Sequence, residues 1–582
     1  MQGQFGTVSG RRPCAAALLA LGLAAFVPAG PAPAQVTAAD ITPPTLAPDA
    51  RPLTGAVVFT GAPGLGVPEG ADRLTVTIRA LEVEGAFPEL ADAHRAAEAR
   101  LTGRVIPVSE LFLAAQDLEA AYAEAGFVLA RVVLPEQELR DGGTLRLVVV
   151  DGFVEAVEAD AVPGPVRDRI VRLAQPLEGQ ASLRLDEIER ALLIAGDTYG
   201  LALDSALARG DVAGATRLVL GGDFRPVTGF VGLDTGHSRE LGGYSLDTGV
   251  EFNGLLGLAE TIYLRASGNP SRGDASGGLF SSTPRMRTLA AGVLAPIGTS
   301  GLTWNLEVTE SRTTPRTDGV PTTSTFDRAS FRLAYPVVRS RQLNITARAS
   351  FDVQRDRLDI LPGDGTRLPF FRDELRILRL AAGMTRSYPE GGVDAVDAVL
   401  AFGLDTFGAR SGTPDLPLSR QGAKPGFAKL ELSGRMVRPL GERLVFSLSG
   451  RGQTAFGRPL VKSEQIGFAN ASELSAFATG SLTGDSGIVL RGELRAPIQT
   501  ERLRALVSPY AFAAAGVLWL HQPLDDEQGR QRVSSLGVGV EILPLLESRF
   551  ASATLRLEAA RGIRHGGGPN DTRFSLLGTM RF

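Results

Sequence analysis

The residue types that usually carry catalysis are sparse and scattered in this chain. Four histidines, His94, His237, His521 and His565, lie far apart, with no i, i+4 pair and no Cys-x-x-Cys partner. Their spacing supports no zinc or other metal centre. The single cysteine, Cys14, sits inside an amino-terminal apolar run and leaves no thiol for chemistry once that run is removed. Asp525, Asp526 and Glu527 occupy a turn-like stretch and read as a solvated loop rather than a paired acid and base. Gly61, Gly64 and Gly66 lack both the flanking strand and helix and the following Lys-Ser/Thr of a phosphate-binding loop. No catalytic site, metal or cofactor is expected.

One segment in the last third stands apart. It reads Leu474, Ser475, Ala476, Phe477, then Gly480, Gly484 and Asp485, and runs into a strand ending Arg491, Gly492, Glu493, Leu494. The elements that position it are legible from the rest of the chain.

Arg11 and Arg12, an apolar run from about Cys14 to Val27, Pro28, and the small residues Ala32 and Ala34 have the layout of a secretory signal peptide over 1–34. Cleavage is expected before Gln35. The full chain has a mean hydropathy of +0.07 but, outside the leader, no apolar run long enough for a spanning helix. A closed barrel is the remaining way to cross a membrane. The net charge of −4 gives no electrostatic footprint for nucleic acid.

Residues 35–72 carry Pro43, Pro44, Pro48, Pro52, Pro63 and Pro68 and read as an extended or flexible linker. From 73 to 152 the order becomes strand, helix, helix, strand, strand. Leu74, Val76 and Ile78 alternate with polar residues, as a half-buried strand requires. Leu111, Ala114, Ala115, Leu118, Ala121 and Tyr122 form one helical stripe that Gly126 ends. Strands follow over 128–134 and 145–150, and a second copy of the order covers 153–222.

From about 225 to 582, segments of roughly ten residues alternate with period two between turn residues. Trp304, Leu306 and Val308 oppose Asn305, Glu307 and Thr309. Leu343, Ile345, Ala347, Ala349 and Phe351 oppose Asn344, Thr346, Arg348 and Ser350, and Leu555 and Leu557 oppose Arg556 and Glu558. One apolar and one charged face suit lipid outside and a wet lumen inside. Soluble sandwiches also alternate, and the last strand tips the balance: Phe574, Leu576 and Met580 lead in phase to Phe582. The fold class is therefore α+β domains followed by an all-β transmembrane barrel of about sixteen antiparallel strands.

This layout resembles the transporters of two-partner (type V) secretion, the TpsB-type or haemolysin-activator family. The stretch from Ala125 through Pro135 and Gln137 to Gly152 resembles the first polypeptide-transport-associated (POTRA) domain of that family. The resemblance implies POTRA domains at 73–152 and 153–222 in the periplasm, and a barrel over 225–582 in the outer membrane. It also implies a secreted exoprotein cargo that the POTRA domains bind unfolded, and barrel-assembly machinery that inserts the chain itself. The edge that takes up cargo is expected at the second strand of either domain.

The resemblance makes 454–485 a loop folded into the lumen between the eleventh and twelfth strands, with Phe477, Gly480, Gly484 and Asp485 matching. Arg491, Glu493, Phe512 and Gly516 would form the wall facing it. Phe574, Leu576, Met580 and Phe582 match the sorting signal of outer-membrane barrels. In the family a loop arginine meets a wall aspartate, but these positions hold Ser475 and Ala514. Loss of both partners together avoids a stranded buried charge, so the loop is expected to fold inward through Phe477 and other polar contacts. The family's amino-terminal plug helix does not suit the proline-rich stretch from Thr42 to Pro52, so a plug is expected to be absent or supplied by another segment. Two other readings remain: a membrane-assembly factor of the same superfamily, and a passive porin.

Overall fold

The computed structural model describes residues 36–48, 58–59, 66–270, 278–317, 319–525, 527–567 and 570–582. The expected leader with Cys14 lies outside these residues, as do Gly61, Gly64 and Asp526.

In the first αβ unit, Thr75–Glu84 lies parallel to Gly143–Val150, and Val105–Pro107 and Arg131–Val133 flank them in a four-stranded sheet. Helix Val108–Glu124 packs on it through Leu111, Ala114, Ala115, Leu118 and Tyr122, all buried. Gly126, at φ +98°, follows the end of this helix. The strand expected over 128–134 shrinks to Arg131–Val133, because a turn from Phe127 to Ala130 takes up its first residues. The Tyr122 hydroxyl accepts from the Phe87 N–H at 3.0 Å and lies 3.0 Å from Nε2 of His94 on helix Ala91–Leu101. Partial burial pulls the His94 pKa below its ordinary value.

The second unit repeats the order with strand Phe153–Ala161, helices Gly164–Ala174 and Leu185–Gly196, and strands Leu201–Arg209 and Ala215–Phe224. A fourth strand, Val58–Phe59, comes from the stretch expected to be a linker. It runs parallel to Leu201–Arg209, opposite Ala206 and Leu207. The proline-rich stretch is thus partly built into the domain, because a sheet edge satisfies its backbone without any side-chain pattern.

Ion pairs and carbonyl contacts join this unit to the near turns of the barrel. Arg339 grips Asp197 at 2.6 and 2.9 Å, Arg549 meets Asp204 at 2.8 Å, and Arg190 donates to the Pro336 carbonyl at 2.9 Å.

Sixteen antiparallel strands from Val227 to Arg581 close into a barrel. In this count Ser486–Arg495 and its continuation Ile498–Thr500, both paired with Ala505–Trp519, form the twelfth strand. Side chains alternate as the sequence requires: Leu306 and Val308 face outward and exposed, while Asn305, Glu307 and Thr309 are buried inside. The seventh and eighth strands, Leu343–Ile360 and Leu368–Ser387, pair over 18 positions. Closure between the last strand, Asp571–Arg581, and the first, Val227–Asp234, rests on only five, from Leu577 opposite Asp234 to Arg581 opposite Phe230.

Candidate functional site: the lumen and its two inclusions

The barrel lumen holds two stretches of chain. The first is 455–485, between the eleventh strand Leu444–Thr454 and the twelfth, where the family resemblance places the inward loop over 454–485. A two-residue ladder, Ile466–Gly467 with Thr483–Gly484, closes its neck. Phe468, Leu474, Ala476, Phe477 and Leu482 then pack on an apolar part of the wall that includes Val489, Phe512, Ala514 and Leu518. Burying these side chains against one wall holds the loop inside.

Asp485 is fully buried and accepts from the backbone of Leu460 at 2.9 Å, the Gln465 amide at 3.0 Å and the backbone of His521 at 2.7 Å. It ties the loop to the turn after the thirteenth strand. Gly480 has φ +79°, and a Cβ there would lie 2.8 Å from Val36 Cγ1. Both conformation and space demand glycine. Phe477 presses on the fifteenth strand, Ser552–His565, where a Cβ on Gly562 would meet its ring at 2.6 Å, and the Arg564 guanidinium stands 4.8 Å from the ring centre. Gly484 and Gly516 pack tightly, with Cβ positions 3.1 Å from the Trp519 carbonyl and 3.3 Å from the Ile488 carbonyl.

Arg491 stands at the centre of the anchor. Its Nη1 donates to Ser475 Oγ at 3.1 Å and to the Glu473 carbonyl at 3.3 Å, and its Nη2 meets Glu558 at 2.7 Å and Glu493 at 3.1 Å. The guanidinium lies 3.5 Å over the Phe512 ring. Arg556 joins Glu493 at 2.9 Å, Glu558 at 3.0 Å and the Tyr510 hydroxyl at 2.7 Å. Arg495 pairs with Glu493 and, at 2.6 Å, with Glu541.

In the strand register Arg491 sits directly opposite Ala514. The two positions that lack the expected charges, Ser475 and Ala514, therefore flank an arginine supplied by the wall. Arg491, Glu493, Phe512, Phe477 and Ser475 come together at this point; Glu558, Arg556 and Tyr510 complete it. Alternation marks Arg556 and Glu558 as inward, but nothing in the sequence pairs them with the loop.

The second inclusion is 36–48. The prolines between Thr42 and Pro52 disfavour a plug helix, so a plug is expected to be absent or to come from another segment. The structure corrects that expectation: the segment enters the lumen extended, apart from one turn at Ala39–Ile41. Ala38 and Thr37 are buried there. The Leu46 N–H donates to Glu307 at 2.9 Å, and Arg328 and Arg332 donate to the carbonyls of Pro43 and Pro44 at 2.9 and 3.1 Å. A helix was never necessary, because side chains of the wall satisfy the backbone.

Phe574, Met580 and Phe582 face outward from the closing strand, while Leu576 is half-buried. Among the described residues no cluster of metal-ligating side chains occurs.

The family described as haemolysin secretion/activation protein ShlB/FhaC/HecB matches residues 221–542, and the ShlB-type POTRA domain matches residues 76–152. The chain belongs to this family. The outer membrane transporter CdiB of Escherichia coli O6:K15:H31 is 26% identical over 417 residues, 70% of this chain and 66% of that protein. The match thus spans just under two thirds of that relative. The haem/hemopexin transporter protein HuxB of Haemophilus influenzae is 23% identical over 28% of the chain and 29% of its own length.

Among solved structures, CdiB from Escherichia coli superposes with a TM-score of 0.66 at 21% identity, over 90% of this chain and 94% of its own. BamA from Haemophilus ducreyi, lacking POTRA domains 1–3, reaches 0.51 at 13% identity over 88% of this chain and all of its own, a likeness of fold alone. As a ShlB/FhaC/HecB family member, the chain is an outer-membrane barrel with its POTRA region in the periplasm. The joined turns therefore lie on the periplasmic side, and the loop enters from outside.

Proposed function

We propose that this family member is the outer-membrane channel of a two-partner secretion system, moving an unfolded partner exoprotein from the periplasm to the cell surface. One observation carries the reading: a closed barrel with a charged lumen opens directly beneath αβ domains that leave a strand edge free. In the first domain that edge is Arg131–Val133, which has a ladder partner on one side only among the described residues. The matching edge of the second domain, Leu201–Arg209, already pairs with Val58–Phe59. An extended cargo adds to the free edge through main-chain hydrogen bonds, so capture requires no folded epitope.

Translocation at this protein involves no catalytic step and no cofactor. The cargo threads the lumen and is drawn outward because folding outside prevents its return. The domain limits are 73–152 and 153–222, after a leader at 1–34. The chain's own insertion uses the barrel-assembly machinery, with Phe574, Leu576, Met580 and Phe582 as the sorting signal.

Quantitative proteomics of a deletion strain against its parent tests the reading. One large protein should vanish from the supernatant or surface and return on complementation. Broad depletion of barrel proteins would instead favour a membrane-assembly factor. No change at all would leave a passive channel.

A further inference from the structure

Residues 36–48 run from the outer end of the lumen, where Val36 packs with Leu241 and Met286, to the periplasmic mouth, where the Pro48 carbonyl accepts from Tyr199 of the second domain at 3.2 Å. The bonds that hold them go mainly to the backbone. Ser324 accepts from the Ala38 N–H at 3.1 Å, Arg328 and Arg332 donate to Pro43 and Pro44, Glu307 accepts from Leu46, and Arg265 donates to the Leu46 carbonyl at 3.2 Å. Against these, the segment's own side chains reach the wall by two hydrogen bonds, Thr42 at 2.7 Å from Ser311 and Thr45 at 3.3 Å from Glu307, and by the packing of Val36 and Ile41 at the outer end.

The wall groups are themselves fixed. Glu307 is held by the Tyr263 hydroxyl at 3.0 Å, Arg332 at 3.1 Å and Arg328 at 3.2 Å. A cavity of about 1180 Å³, lined in part by Arg348, Asp352, Arg379 and Asp397, runs beside the segment.

A barrel wall spends its own backbone groups on the ladder, so it can recognise a threaded chain only with side chains. Arginines aimed at carbonyls and a glutamate aimed at an N–H read features that every extended polypeptide presents at regular intervals. Such contacts specify conformation, not sequence. Pro43 and Pro44 offer carbonyls but no N–H, so the occupant cannot lock into a ladder of its own.

We infer that Arg265, Glu307, Arg328 and Arg332 form the lumenal binding track for the main chain of the cargo, and that residues 36–48 occupy it at rest as a built-in stand-in. This rests on the reading of the chain as a polypeptide channel. An incoming extended chain replaces the segment by an exchange of like bonds for like. Val58–Phe59, taking the Leu201–Arg209 edge, repeats the arrangement in the periplasm.

The test uses the full chain lacking residues 36–48, in planar bilayers. Two peptides are added from the periplasmic side: one with the sequence of 36–48, and one with the same residues permuted. Both should block the open channel at similar concentrations, and the pair Arg328→Gln with Arg332→Gln should weaken both blocks about tenfold or more. Heat-modifiable migration confirms that the variant barrel is folded.

Block by the native order alone would overturn the inference, as would no block, or block indifferent to the two substitutions. Purified protein without cargo gives these readings, so they stand apart from the secretion test. A chain that secretes nothing can still show the track, and a secreting chain can lack it.

Discussion

The two inclusions of the lumen are held in opposite ways. The loop at 455–485 is fixed by what its side chains are: a buried aromatic, glycines with no room for a Cβ, a buried aspartate, and a hydroxyl that meets Arg491. The segment at 36–48 is fixed mainly by its backbone, through arginines and a glutamate on the third, fifth and sixth strands, with Val36 packed at its outer end. Apolar burial and a closed ion network make the first a part of the barrel. Bonds that any extended chain can replace make the second an occupant. A channel for polypeptide needs both a constant wall and an exchangeable content.

Removing the centre of the anchor should produce the largest effect. Arg491→Ala leaves Glu493 and Glu558 short of a buried partner, with an expected loss of about 3–5 kcal/mol. The loop should become accessible to protease and the heat-modification midpoint should fall, while block by 36–48 changes little. A variant as resistant as the parent would mean that the loop, too, is a loose occupant.

Restoring the expected charges sharpens the contrast further. Ser475→Arg sets one guanidinium against another at Arg491 and should impair barrel assembly, and adding Ala514→Asp should recover part of it. Equal yields for both single variants and the double variant, on heat-modifiability gels, would remove the claim that these positions are coupled. On the other side of the comparison, Thr42→Ala with Thr45→Ala should shift the resting closed fraction by less than about 1 kcal/mol. A channel opened wide by these two changes would show the segment to be read by sequence after all.

The smallest effect lies outside the membrane and serves as a baseline for both inclusions. His94 has a folded-state pKa below its ordinary 6.5, so between these values the folded first domain binds fewer protons than the unfolded chain. Its stability should be constant above that pH and decline as pH falls through about 6.5 toward the lowered value. Hydrogen-exchange protection around Phe87 and Tyr122, corrected for intrinsic rates, should show this decline in the parent and lose it in His94→Gln, with the lumen unaffected.

The sequence exposed these regions unequally, for the same physical reason. Period-two alternation made the barrel legible, because lipid and water impose opposite demands on neighbouring side chains, as at Leu306 and Glu307. The loop was legible only through the family resemblance that Phe477, Gly480, Gly484 and Asp485 carry, not from a local pattern of its own. The wall-borne arginine was only half legible: Arg491 was visible as a wall residue, but its bond to Ser475 depends on a register of strands distant in sequence. The plug was illegible, since a segment bound by its backbone needs no side-chain pattern. Prolines that argue against a helix say nothing against an extended chain.

The five-position seam between the last strand and the first has a kinetic meaning. It joins elements separated by nearly the whole barrel sequence, so its closure carries the largest loop entropy of any pairing in the sheet. Hairpins between successive strands form from near neighbours, and this join comes with the highest contact order. Until it zips, the nascent sheet has two bare edges that invite aggregation. The terminal Phe582, bonded reciprocally to Gly229 at 2.9 and 3.0 Å, sits where the final stitch is made.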